Sequence, residues 1–231
     1  MKKLLLSMLA TFLVIGLVGT GTYAWFQDTE TSTGNTFTAG TLDLKIRDFA
    51  DGENWTDGVT KTWKMSNMTP GVTTVFGAVE LKKEGSIAAD HLEITCSYTV
   101  NDDPDVESDT DKETWKFPER FAKYMQITEM IYSNSAWRFN CLTGQKYIRV
   151  DGVWVPDGAP QAKWRIDDLD GVGGVSLYDL NQVPLDDLTP PDGSNTQLDL
   201  TLKFHQNAGN DLQGDTLNLT MIFTLNQDSS Q

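Results

Sequence analysis

Apolar and polar residues alternate along several stretches of the chain, and this alternation is its strongest structural pattern. Near the N-terminus Leu42, Leu44 and Ile46 are separated by Asp43 and Lys45. A period of two places successive side chains on opposite faces of a strand. The pattern predicts strands with one buried face, as in antiparallel sheets. It recurs in three longer stretches: Leu92–Val100, Leu198–Phe204 and Leu217–Leu225.

Two further stretches predict strands by different features. Val72–Leu81 is apolar but less regular. The sequence "YIRVDGVWV", Tyr147–Val155, has Asp-Gly at its centre, which favours the tight turn of a hairpin.

Helical patterns are confined to the middle of the chain. "FPERFAKYMQITEMIY" predicts a helix that begins near Pro118 and continues to Ile131, because its apolar side chains recur at helical spacing. A second short helix is expected to begin at Ser176, a good N-cap residue. The spacing of the first helix depends on Phe117, Phe121, Tyr124, Thr128 and Ile131.

The order of these elements predicts an all-β fold, a two-sheet jelly-roll sandwich with a short helical insertion around 115–180. We expect one domain over residues 36–231, since 39% apolar residues can supply its core. The polar stretches Asn101–Glu113 and Val183–Asn195 are expected to be surface loops.

Residues 1–24 have the features of a cleaved signal peptide. Lys2 and Lys3 precede the apolar run Leu4–Val18, which is shorter than the roughly 20 residues that span a bilayer. Cleavage is expected between Ala24 and Trp25. The sequence therefore predicts a secreted, extracellular protein.

The chain is strongly acidic, with a net charge of −15 that becomes −17 when Lys2 and Lys3 leave with the leader. Such a chain repels the phosphates of nucleic acids. We therefore expect no nucleic-acid partner.

Two cysteines, Cys96 and Cys141, leave two alternatives open. Exported proteins form disulfides readily, so the pair could be bridged. The other alternative is two separate buried thiols, because Cys96 lies on the apolar face of its predicted strand.

Few residues are available for catalysis. The chain has two histidines, His91 and His205, and both are expected at the surface because each lies at the end of a predicted strand. Neither a His-Glu-x-x-His zinc motif nor a Gly-x-Ser-x-Gly nucleophile motif is present. These observations predict that the protein is not an enzyme.

The stretch "DLDGVGGVSLYD" is similar to a calcium-binding loop, with Asp168, Asp170 and Asp179 at positions 1, 3 and 12. Position 5 is Val172, which offers no carboxylate. The alternative is a glycine-rich turn that leads into a capped helix, and no cofactor is then expected.

Three stretches fit the N-glycosylation pattern Asn-x-Ser/Thr. The acceptors would be Asn54, Asn67 and Asn218.

The junction "GTGTYAWFQDTETSTGNTFTAGTLDLKI", Gly19–Ile46, resembles the start of the TasA and camelysin (CalY) family of exported fibre proteins. The shared pattern is F-x-D followed by N-x-F-x-A-G-T-L-D-L, which corresponds here to Phe26, Asp28 and Asn35–Leu44. "NMTPGVTT" and "NDLQGDTLNLTMIFTLNQ" resemble two further family blocks, although Val72 replaces the usual Asp.

The resemblance implies a jelly-roll subunit that polymerises head to tail into extracellular fibres of the biofilm matrix or, in archaea, into bundling pili. Residues 25–35 would be a donor strand that pairs with the next copy. The implied partners are copies of the chain, other matrix components and a dedicated signal peptidase. An alternative is a surface metallopeptidase, as camelysin-like relatives have been classed. The donor residues would be Trp25, Phe26, Gln27, Asp28, Thr29, Glu30, Thr31, Ser32 and Thr33.

Overall fold

Strands make up most of the described chain. The computed structural model describes residues 27–29, 42–49, 55–56, 63–65, 69–71, 74–101, 117–191, 196–209, 212 and 214–228. The strands are β1 (Gln27–Thr29), β2 (Leu44–Asp48), β3 (Trp63–Met65), β4 (Thr74–Lys83), β5 (His91–Asn101), β6 (Met125–Ser133), β7 (Trp137–Asn140), β8 (Gln145–Val150), β9 (Val153–Pro156), β10 (Leu185–Leu188), β11 (Thr196–Phe204) and β12 (Thr216–Asn226). The helices are α1 (Pro118–Tyr124), α2 (Leu177–Gln182) and a 3-10 helix (Ala162–Trp164).

The strands form two antiparallel sheets. The first has the order β1-β12-β5-β10, and β3 pairs with the same strand, β12, as β1 does. The second has the order β2-β4-β11-β6-β7-β8-β9. The predicted all-β sandwich with a short helical insertion is thus confirmed.

Alternating side chains from both sheets form one apolar core. In β11 every second residue from Thr196 to Phe204 is buried, as the sequence pattern predicts. In β5 the buried set includes Leu92, Ile94 and Cys96. Apolar burial of this kind contributes about 25 cal/mol per Å² of surface removed from water. The core therefore holds the two sheets together through the residues that carry the alternation.

The predicted hairpin at Tyr147–Val155 is confirmed. β8 and β9 pair from Tyr147↔Pro156 to Val150↔Val153, and the turn consists of Asp151 and Gly152. Both have positive φ angles, 50° and 84°, as a type I′ turn requires. Asp and Gly are among the residues that adopt this conformation most readily.

The long helix predicted from Pro118 to Ile131 is correct only in its first half. α1 ends at Tyr124, and Met125–Ser133 continues as β6, which pairs with β11. β-Branched residues such as Ile127, Thr128 and Ile131 favour extended backbone, and pairing with a buried strand outweighs a local helical pattern. The register shift opposite Thr201 and Leu202 also interrupts the alternation of apolar and polar residues in β6, so the sequence of β6 lacks a regular period of two.

Other expectations have mixed outcomes. The helix expected at Ser176 is present as α2. The stretch Val183–Asn195, expected to be a loop, contains the edge strand β10. The acidic loop 102–113 lies outside the described residues, as do the leader and its cleavage site at Ala24 and Trp25.

Among the helices that the structure describes, none is long and apolar enough to cross a membrane.

The two cysteines are free, so the bridge considered between Cys96 and Cys141 is not formed in this structure. They belong to different sheets: Cys96 is in β5, and Cys141 follows β7. The Cys96 thiol donates to the carbonyl of Leu177 at 3.4 Å. Burial raises the pKa of each thiol to about 12.

We expect both thiols to resist Ellman's reagent in the native protein at pH 8. The reactive species is the thiolate, and a pKa near 12 leaves about one thiolate in ten thousand at that pH. Unfolding in guanidinium without reductant should release two reactive thiols per chain. Rapid native labelling, or a denatured sample that needs reductant first, would contradict this expectation.

Candidate functional site

The N-terminal segment that resembles a donor strand is described only at Gln27–Thr29. These residues form β1, which pairs antiparallel with the end of β12: Gln27 with Asn226, Asp28 with Leu225 and Thr29 with Thr224. The other candidate donor residues lie outside the described chain: Trp25, Phe26, Glu30, Thr31, Ser32 and Thr33. In the single chain, part of the segment therefore lies on the chain's own sheet.

β12 uses its two edges differently. One edge pairs with β5 along the whole strand, from Thr216↔Asn101 to Asn226↔His91. The other edge is shared by two three-residue strands, β3 at Leu217–Leu219 and β1 at Thr224–Asn226. Within the described residues, the second edge therefore has six register pairs and the first has eleven.

The predicted calcium-type loop brings its three aspartates together. Oxygen atoms of Asp168, Asp170 and Asp179 lie within 4.8 Å of one another. Backbone amides occupy several of these oxygens: Asp168 accepts from Gly171 and Gly174 at 2.9 and 3.1 Å. Calcium binding here stays a prediction.

Asp179 connects this turn to α2. Its Oδ2 accepts from the backbone N–H of Ser176 at 2.8 Å, and the Ser176 hydroxyl accepts in turn from the Asp179 N–H. These reciprocal bonds form a capping box at the start of the helix. Asp179 Oδ1 also accepts from the N–H of Leu169 at 3.0 Å. Since Asp179 is fully buried, its carboxylate holds the turn and the helix together.

Both histidines are buried, so the expectation that they lie at the surface is wrong. His91 is 3% exposed and His205 is 9% exposed. The His205 Nδ1 accepts from the N–H of Asn207 at 3.0 Å, and its ring lies beside Tyr124. Strand ends are often solvated, but here neighbouring elements cover both rings.

His91 lies among carboxylates. Its Nδ1 is 3.3 Å from Asp90 Oδ2, and its Nε2 is 3.3 Å from Asp186 Oδ1 and 3.7 Å from Glu93 Oε1. The amide nitrogen of Asn226 lies 3.0 Å from the same Nε2. Asp187 belongs to a separate set of close ligand atoms, with Asp90 and His91. We call His91, Glu93 and Asp186 the His91 cluster.

An irregularity in β10 places the carboxylates of Asp186 and Asp187 near His91. Leu185 pairs with Ile94 and Leu188 with Leu92, so two β10 residues lie opposite Glu93 alone. Asp187 has φ +56°, and Trp164 donates from Nε1 to its carbonyl at 3.0 Å. Bulges of this type redirect side chains and are frequent beside functional sites.

Sequence reasoning missed the His91 cluster, although part of its pattern was present. His91 and Glu93 are two apart in a predicted strand, so they share a face. The remaining part comes from Val183–Asn195, whose composition predicts a loop. Without β10 there was no reason to place Asp186 beside His91.

Of the three glycosylation acceptors, only Asn218 is described. It is half-buried in β12, between Lys64 of β3 and Thr99 of β5. Asn54 and Asn67 lie outside the described residues. Glycosylation therefore stays a prediction for all three.

Replacement of Asp179 by Ala should lower the free energy of unfolding by about 2–3 kcal/mol, because it removes a helix cap and leaves the buried N–H of Ser176 unpaired. Urea denaturation measures the loss. Asp168→Ala is the matched control, since its exposed amide partners can pair with water, and a smaller loss is expected. Equal losses in the two variants would contradict the role assigned to Asp179.

Comparison with known proteins agrees with the resemblance drawn from the N-terminal junction. The model of a family described as camelysin metallo-endopeptidase matches residues 1–128. No curated protein matches the chain. The matched region contains the N-terminal junction, β1 to β5 and α1, and it covers more than half of the sequence. The protein therefore belongs to the camelysin family.

Proposed function

We propose that this protein is the exported structural subunit of an extracellular fibre or pilus of the biofilm matrix. Its N-terminal strand would leave its own sheet and pair with the next copy. The pairing of Gln27–Thr29 with β12 carries the proposal, because it identifies an edge that accepts this segment. A neighbouring chain offers the same edge.

The described part of the pairing is suited to exchange because it is short. Among the described residues, β1 contributes three register pairs, whereas β5 holds the opposite edge of β12 along its full length. Main-chain hydrogen bonds supply affinity in strand addition, with little demand on side-chain identity. Exchange would therefore cost the donor chain few contacts, and β12 would stay in place.

The connection after β1 is long enough for β1 to pair either with its own β12 or with the β12 of a neighbouring copy. Twelve residues, 30–41, separate Thr29 from Leu42, and an extended chain of this length spans about 40 Å. β1 belongs to the first sheet and β2 to the second, and packed sheets lie about 10 Å apart. The remaining length can reach a neighbouring subunit.

Repeated exchange would produce a filament. Each chain would give its N-terminal strand at one place and receive another at the β12 edge. Such a contact joins different surfaces of the two copies, and it extends indefinitely unless its rotation closes a ring. This geometry matches the head-to-tail arrangement that the family resemblance implies.

A cysteine pair at Thr29 and Thr224 should control assembly. Facing Cα atoms in an antiparallel pair are about 4.5–5.5 Å apart, within the range that a disulfide bridges. Oxidation of the dilute monomer should lock β1 onto its own β12, and electron microscopy should show no filaments until reductant is added. Oxidation after assembly should instead give a ladder of covalent multimers on a denaturing gel.

The matched control is Thr29→Ser/Thr224→Ser, which should assemble under both conditions. Deletion of residues 25–35 should leave the cooperative unfolding transition in place while filaments disappear. Filaments formed by the internally bridged monomer would overturn strand exchange. Persistent monomers of the unaltered protein under all assembly conditions would overturn the fibre proposal itself.

A second candidate function is proteolysis, which the family description names. A catalytic metal would need donors with an open coordination position, and the three ligand atoms of the His91 cluster lie within 4.8 Å of one another. A bound ion would polarise a peptide carbonyl and lower the pKa of a water molecule. This candidate is the weaker one, because the chain has two histidines and no His-Glu-x-x-His motif.

The peptidase candidate predicts zinc-dependent cleavage of casein that His91→Gln abolishes. The fibre proposal predicts no cleavage by purified protein with or without added zinc. His205→Gln is the control, since His205 belongs to none of the metal-ligating groups found among the described residues. Cleavage lost only in the His91 variant would favour the peptidase.

A further inference from the structure

We propose that one face of the β8–β9 hairpin binds the acidic segment 102–113 of a second copy of the chain. This face, which we call the arginine face, consists of Arg138, Tyr147, Arg149 and Trp154. The contact would join opposite ends of two copies. It does not depend on strand exchange, although it would orient the copies in the same head-to-tail sense.

Strand pairing brings the four side chains of the arginine face together. Arg138 of β7 pairs with Tyr147 of β8, and Arg149 of β8 pairs with Trp154 of β9. Paired residues project from the same face of a sheet, and so do residues two apart on one strand, such as Tyr147 and Arg149. Trp137, the neighbour of Arg138 on β7, is buried in the core. The arginine face therefore points away from the core.

The aromatic rings hold both guanidinium groups in place. The central carbon of the Arg138 guanidinium is 5.1 Å from the ring centre of Tyr147 and 5.2 Å from that of Trp154. The corresponding distance from Arg149 to Trp154 is 5.8 Å. These are cation–π distances. Groups that are ordered before a ligand arrives lose less entropy when it binds.

The two arginines have no carboxylate partner among the described residues. Arg47 and Arg165, by contrast, pair with Glu80 and Asp167. In the described part of the chain, Arg138 Nε is buried without a hydrogen-bond acceptor, and Arg149 Nε donates to a backbone carbonyl at 3.4 Å. The chain has 33 acidic and 18 basic side chains. The arginine face is thus a local positive patch on an acidic protein, and it attracts anionic groups.

The acidic segment carries the complementary charge. Its twelve residues include seven carboxylates and one lysine. A guanidinium donates to a carboxylate through two parallel N–H groups, which makes this the strongest type of exposed ionic hydrogen bond. The segment lies outside the described residues, and its carboxylates are those of Asp102, Asp103, Asp105, Glu107, Asp109, Asp111 and Glu113.

The arginine face lies at the end of the sandwich where β5 begins. Ser133, the last residue of β6, pairs with Arg138. The preceding residue, Tyr132, donates from its hydroxyl to the carbonyl of Thr189 at 3.0 Å. Thr189 directly follows β10, whose last residue pairs with Leu92 near the start of β5. The acidic segment follows the other end of β5.

The acidic segment is too far away to reach the arginine face of its own chain. β5 has 11 residues, so its two ends are separated by about 34 Å. Fifteen residues, 102–116, connect Asn101 to Phe117. An extended chain of this length spans about 50 Å, which leaves about 25 Å for the way out and the same for the way back. The occupant must therefore come from a second copy.

Every copy carries both parts of this contact, so it can repeat from one copy to the next. Two copies of charge −15 repel each other at long range, but the Debye length of about 8 Å at physiological salt screens that repulsion. Exposed ion pairs contribute little free energy each, and their main effect is on the rate and orientation of association. The contact would thus align copies more than it would hold them.

Binding of a peptide tests the contact without filaments. The probe is a fluorescently labelled peptide of residues 101–114, titrated with dilute monomer of the chain without its leader, at about 0.1 M salt. Fluorescence anisotropy should show binding, and Arg138→Gln/Arg149→Gln should weaken the affinity roughly tenfold. Since the monomer is measured, failure of the fibre proposal would leave this result unaffected.

The matched control is Lys123→Gln/Lys203→Gln, which removes the same charge elsewhere and also a cation–π contact, that of Lys123 with Tyr178. It should bind the peptide as the unaltered chain does. Arg149→Gln alone is the second loss variant if the double variant fails to fold, because Arg149 is exposed.

Three results would overturn the proposal. The first is the absence of peptide binding, and the second is an equal affinity in the arginine variants and the unaltered chain. The third concerns alginate, an acidic polysaccharide. Displacement of the peptide by alginate at a lower carboxylate concentration than by unlabelled peptide would assign the arginine face to an acidic polysaccharide instead.

Discussion

The pairing of β5 with β12 is the interaction on which the first sheet depends. It runs without a register shift from Thr216↔Asn101 to Asn226↔His91. One face of both strands supplies buried side chains to the core. The outer edge of β12 pairs with β1 and β3, and the outer edge of β5 pairs with β10. Every other strand of that sheet is shorter. A change that slipped this register by one residue would turn the core face of β12 toward solvent.

This arrangement brings early and late segments of the chain together. The second edge of β12, a late strand, pairs with two early strands, β1 and β3. Within the described residues, each of these segments covers three positions of that edge. The fold thus brings together the parts that strand exchange would use.

The sequence predicted the parts of the fold whose side chains alternate regularly. β11 and β12 carry that pattern almost without interruption, and both were located correctly. The sequence predicts helix over β6, because its bulge breaks the period of two and Phe121 and Tyr124 in the preceding turn fit a helical repeat. It does not predict β10 for a related reason, since four residues with two aspartates in the middle resemble a loop.

The candidate sites could likewise be predicted only where their residues lie close together in the sequence. The aspartate turn was visible in the sequence because its three carboxylates lie within 12 residues. His91 and Asp186 are 95 positions apart, and only the pairing of β10 with β5 joins them. The expectation of surface histidines failed because strand position says little about what covers a strand end. A site built from residues far apart in sequence can be identified only after the strand pairing is known.

The aspartate turn and the His91 cluster differ in how their carboxylates are paired. In the aspartate turn, carboxylate oxygens accept from backbone amides and from the Ser176 hydroxyl, so the polar groups are satisfied within the turn. In the His91 cluster, Asp186 Oδ1 accepts from the backbone N–H of Asp187 at 2.6 Å and lies 3.3 Å from His91 Nε2, and Glu93 Oε1 lies 3.7 Å from the same nitrogen. A carboxylate that accepts several hydrogen bonds is stable as an anion. The aspartate turn is therefore satisfied by its own backbone, whereas the carboxylates of the His91 cluster are arranged around one buried imidazole.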